Sequence, residues 1–117
     1  AKKNFRQLLL SNIRIVEGNF DETLSAVIQQ LSIVNLAFVD GNHRKEPTLN
    51  YFYQLINLST QSTILIFDDI HWSKEMEEAW NEIKQHSSVT LTIDLFFIGI
   101  VFFRAEQKIK QHFIIRF

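Results

Sequence analysis

A chain of 117 residues, 46% hydrophobic and 21% charged, can bury a core and fold as one domain, which excludes a disordered chain. Its 12 Lys and Arg against 13 Asp and Glu leave a net charge of −1, without the cation excess that a nucleic-acid partner demands. No cysteine is present, so a disulfide framework and a zinc–thiolate site are both excluded, and the composition fits the cytoplasm.

The first elements are amphipathic. Ala1 to Leu10 is rich in helix formers, with Phe5, Leu8 and Leu9 on one face and no N-terminal cap, as if the sequence opened inside an element. The Lys residues at its start are not followed by the apolar core and cleavage site of a signal peptide. Ile13 to Glu17 alternates as a strand does and stops at Gly18-Asn19. Asp21 and Glu22 then favour the positive end of a helix whose buried stripe is Leu24, Val27, Ile28 and Leu31.

The middle of the chain holds two apolar runs of strand length, Asn35 to Asp40 and Thr63 to Asp68. Unbroken runs of this kind predict strands buried on both faces. Between them Pro47 suits the first turn of a helix with Leu49, Phe52, Tyr53 and Ile56 as its core stripe. After the second strand Ser73 is placed to cap a helix, with Glu77 near the capping-box position and Met76, Ala79, Trp80 and Ile83 inward.

Val89 to Leu95 and Ile98 to Phe103 predict an antiparallel hairpin, and His112 to Phe117 a last strand. The most apolar window, Leu95 to Phe103, is far shorter than the roughly 20 residues of a membrane-crossing helix, so no membrane partner is expected. The predicted class is α/β, parallel strands flanked by helices with a C-terminal antiparallel hairpin.

Both central runs break abruptly into polar residues, Asp40-Gly41-Asn42-His43 and Asp68-Asp69-Ile70-His71-Trp72. In open α/β sheets ligands bind beyond the carboxyl ends of the strands. If the two strands run the same way, Asp40, His43, Asp68, Asp69 and His71 meet on one rim. Three carboxylates together repel one another unless neutralised, which points to a hard divalent metal with the imidazoles as bases or further ligands. The competing expectation is that each Asp only caps the next helix or closes an Asx-turn.

Val16-Glu17-Gly18-Asn19-Phe20-Asp21-Glu22-Thr23-Leu24, Phe38-Val39-Asp40-Gly41-Asn42-His43, Phe67-Asp68-Asp69-Ile70-His71-Trp72 and the terminal hairpin follow one another in an order that resembles the C-terminal two thirds of a class I S-adenosylmethionine-dependent methyltransferase. The nearest group is that of metal-dependent, catechol-type small-molecule O-methyltransferases. The resemblance implies an incomplete Rossmann-like sheet over residues 1–117. It implies Asn19 and Phe20 at the adenine of S-adenosylmethionine, Asp40, Asp68 and Asp69 as ligands of a divalent ion, magnesium, and His43 as the proton acceptor where catechol-type enzymes carry lysine.

The acceptor implied is a small molecule. The glycine-rich loop that cradles the donor in this fold has no counterpart, since Gly18, Gly41 and Gly99 are the only glycines. The chain is therefore expected to be a truncated domain, inactive alone, whose exposed sheet edges invite self-association. A non-catalytic oligomerising α/β module is the alternative. Gly41-Asn42-His43 also resembles a metallophosphoesterase step, but Asp68-Asp69-Ile70-His71 has the wrong order and spacing for it.

Overall fold

A computed structural model describes residues 2–117; Ala1, the first residue of the predicted opening helix, lies outside the described residues. The elements are α1 (Lys2–Gln7), α2 (Phe20–Ile28), β1 (Val34–Val39), α3 (Lys45–Ile56), β2 (Ser59–Asp68), α4 (Lys74–Gln85), β3 (Leu91–Asp94), β4 (Ile98–Phe102) and β5 (Gln111–Ile114). The five strands form one sheet in the order β1-β2-β4-β3-β5. β1 and β2 are parallel, β4 is antiparallel to both β2 and β3, and β5 runs parallel to β3. This mixed sheet flanked by helices is consistent with a partial Rossmann-like methyltransferase sheet, with the expected hairpin in β3 and β4.

The core lies between one sheet face and the helices α3 and α4. Leu65, Phe67 and Val101 project from the sheet toward Leu49, Phe52 and Leu55 of α3 and Ala79, Trp80 and Ile83 of α4. Helix α4 forms where its sequence directs: Ser73 Oγ accepts from Met76 N at 3.2 Å, and the four apolar residues at helical spacing are all buried. Glu77 falls one residue past the capping-box position and turns to His71 instead. Gly99 is required where β4 passes under Trp80, since a Cβ there would stand 2.5 Å from the indole ring.

Several expectations do not hold. Ile13 to Glu17 is irregular, and Ile13 and Val16 are exposed. Alternation alone does not make a strand without a neighbour to bond, and the edge of β1 is not paired to it. Helix α1 ends at Gln7, leaving Leu8 and Leu9 exposed, and Leu31 lies past the end of α2. In α3 the buried face is Thr48, Leu49, Tyr51, Phe52 and Leu55, so Tyr53 is turned outward.

Neither central strand is buried on both faces. Leu36 and Phe38 of β1 are 62% and 57% exposed, and their register partners Ile64 and Ile66 are only partly covered. Helices α3 and α4 pack on one side alone, and the other side keeps its apolar residues open to solvent.

Candidate functional site

Parallel pairing brings the two polar breaks together. Val39 pairs with Phe67, so Asp40 and Asp68 are the next residues on adjacent strands at the same sheet edge. One ligand atom from each of Asp40, His43 and Asp68 lies within 4.8 Å of the others. His43 Nε2 stands 3.4 Å from Asp40 Oδ1 and 3.5 Å from Asp69 Oδ2. Thus Asp40, His43, Asp68 and Asp69 share one rim, as their spacing predicts.

None of these acids caps a helix. The N-cap of α3 is Arg44, with no side-chain bond, and that of α4 is Ser73. Nor does Lys45, two residues past His43, neutralise them. Lys45 reaches across to Glu82 and Glu78 of α4 at 2.7 and 3.4 Å. The loops leaving the two strands hold Asn42 and Asp69 at φ of 53° and 52°, a left-handed conformation that Asn and Asp tolerate better than most residues. His43 Nε2 is itself buried without a hydrogen-bond partner.

His71 does not join this group. Its Nε2 lies 2.7 Å from Asp94 Oδ2 and its Nδ1 3.3 Å from Glu77 Oε1, and its ring stacks on Phe96. Asp94 also accepts from Phe96 N and from Arg116 Nη1. Burial pushes the Asp94 carboxyl up, but the bonds from His71, Phe96 and Arg116 outweigh it and hold the group below its ordinary value. The exposed rings of Trp72, Phe96 and Phe97, with Asp69 and His71, line a recess beside the acidic rim.

On the other flank, Asn19, Phe20, Asp40, Gly41 and Asn42 line a second recess. Asn19 is the N-cap of α2, its Oδ1 accepting from Asp21 N at 3.1 Å. The Phe20 ring crosses Gly41 so closely that a Cβ there would stand 2.9 Å from it. Tyr51, which the sequence gives only as part of an apolar helix, donates its hydroxyl to Asp21 Oδ1 at 2.6 Å, and Asn42 Nδ2 donates to both at 3.4 Å. Burial raises the Tyr51 phenol above its ordinary value, and the Asp21 carboxylate adds to the rise. The polar tip of an aromatic residue facing an acid 30 positions earlier leaves no periodic signal, so this tie was not legible.

Chemically, the rim offers three carboxylates and one imidazole between two recesses, one lined by aromatic rings and one by the start of α2. No helix among the described residues is long and apolar enough to cross a membrane. No curated protein and no solved structure matches the chain. A family model described as a methyltransferase domain matches residues 1–70, which covers α1 to β2 and every residue of the rim cluster. By that match over more than half its length, the chain belongs to the methyltransferase domain family.

Proposed function

We propose that the chain forms part of an S-adenosylmethionine-dependent O-methyltransferase for a small-molecule acceptor, assisted by a divalent ion held by Asp40, Asp68 and Asp69. The observation that carries this reading is the meeting of acids at the ends of β1 and β2 on one sheet edge, where among the described residues they cap no helix and pair with no lysine. The donor set fits such an ion: several carboxylate oxygens, and a buried nitrogen with no hydrogen-bond partner beside them.

Bound S-adenosylmethionine would supply an electrophilic methyl group to an acceptor oxygen and would leave as S-adenosylhomocysteine, with the hydroxyl proton passing to a base at the rim or to water. When bound, the ion supplies positive charge that lowers the pKa of that hydroxyl. Asp40, Asp68 and Asp69 would hold it. Asn19 and Phe20 line the recess on the adenine side, and the exposed rings of Trp72 and Phe96 offer apolar faces on the acceptor side. His43 Nε2 has two candidate tasks, taking the proton or binding the ion.

The glycine-rich loop that the resemblance places at the methionine part of the donor has no counterpart in the sequence, so we expect no turnover from the chain alone. Melting temperature read with Mg2+, with Mn2+ and with S-adenosylhomocysteine, each added separately, tests the reading. A rise with an ion supports it; no rise with any of the three overturns it.

A second reading, a non-catalytic oligomerising module, draws on the open sheet face around Leu36 and Phe38. It predicts a concentration-dependent dimer in sedimentation, and Phe38→Ser would shift that dimer to monomer.

A further inference from the structure

We infer that His43 is a ligand of the ion rather than the proton acceptor, and that it tunes the rim for Mn2+, Co2+ or Zn2+ over Mg2+ and Ca2+. The inference rests on the metal-assisted reading above. It departs from the magnesium site and the basic residue that the resemblance implies.

The distances carry the argument. A charged hydrogen bond from an imidazole to a carboxylate spans about 2.7–2.9 Å. His43 Nε2 is farther than that from both its neighbours, at 3.4 Å from Asp40 and 3.5 Å from Asp69, and hydrogen-bonds to neither. Two donor atoms on one ion with bonds of about 2.1 Å stand roughly 3.0–3.5 Å apart at the angles of octahedral and tetrahedral sites. The spacing matches that of ligands around an ion and is too long for a charge-assisted hydrogen bond. Asp68 lies within the same 4.8 Å group.

The chemistry of the nitrogen then sets the choice of ion. Oxygen-only sites suit Mg2+ and Ca2+, whereas neutral imidazole suits the first-row transition ions. One imidazole among three carboxylates makes a mixed set. His71, the other histidine of this edge, has both ring nitrogens facing carboxylates at 2.7 and 3.3 Å, so it supplies no free lone pair.

The test is calorimetric titration of Co2+ and of Mg2+ into the full chain, the His43→Gln variant and the His71→Gln variant, with the visible spectrum of bound Co2+ recorded alongside. Loss of the nitrogen ligand is expected to weaken Co2+ by about 10- to 100-fold and Mg2+ by less than about 3-fold. The Co2+ spectrum changes with His43→Gln, and His71→Gln leaves the Co2+ affinity as it was. On the unaltered chain, pulsed EPR of bound Mn2+ shows nitrogen coupling, which keeps the test independent of how any variant folds.

Equal loss of Co2+ and Mg2+, or no loss of either, together with no nitrogen coupling, overturns the role of His43 and leaves the metal reading standing. No binding of any ion to the unaltered chain overturns both.

Discussion

Two groups of histidine and aspartate sit on the same edge of the sheet and behave in opposite ways. Around Asp94 every donor has an acceptor: His71 at 2.7 Å, Arg116 at 3.1 Å and the Phe96 amide at 2.8 Å converge on a carboxylate that is only 7% exposed. Around His43 the same residue types meet at 3.4 and 3.5 Å, with a buried nitrogen left over. A satisfied cluster lowers the free energy of the fold, whereas an unsatisfied one raises it unless something else binds there. The residue types do not separate a clamp from a site. Their state of satisfaction does.

The contrast breaks most readily at Asp94. Asp94→Ala removes the acceptor for three donors and is expected to destabilise the chain by about 2–3 kcal/mol, a fall in melting temperature of roughly 10 °C. Asp68→Asn, which removes one charge from the rim, is expected to leave stability within about 0.5 kcal/mol by chemical denaturation, because it breaks no hydrogen bond and relieves repulsion. Its effect is expected in ion affinity instead, a loss of about 10-fold or more by calorimetry. If Asp68→Asn destabilised the chain as strongly as Asp94→Ala, the distinction between the two clusters would fail.

Acid sharpens the same contrast. The folded-state carboxyl of Asp94 is held below its ordinary value, so its contribution is complete above about pH 4 and is lost as pH falls through the lower folded-state value. Asp94→Asn should therefore flatten the loss of melting temperature below pH 4. A smaller effect is expected at His112, which burial and then the charges of Lys84 and Lys110 push below its ordinary value. Its contribution is present above about pH 6.5 and declines as pH falls through the folded-state value, so His112→Gln should reduce the slope of stability on the acid side of pH 6.5.

The sequence carried the rim because the signals there are abrupt. An apolar run that ends in Asp, Gly and His at residues 40–43, and another that ends in Asp, Asp and His at 68–71, mark strand ends however the flanks fold. Helix α4 was equally legible, since Ser73 and the spacing of Met76, Ala79, Trp80 and Ile83 agree. What failed depended on partners. Ile13 to Glu17 alternates like a strand but finds no neighbour to bond. Leu36 and Phe38 looked buried because an apolar run does not say whether one face or two will be covered. His71 and His43 each follow an acid by a few residues, and only the position of Asp94, at the end of β3, decides that the first is occupied.

The measurement that bears most directly on the rim is a crystal of the chain grown with Mn2+ and recorded on both sides of the manganese absorption edge. The account predicts a single strong anomalous peak between the side chains of Asp40, His43 and Asp68, within bonding distance of His43 Nε2. A peak seated on Glu78 and Glu82 of α4, or none in the presence of saturating manganese, would contradict it.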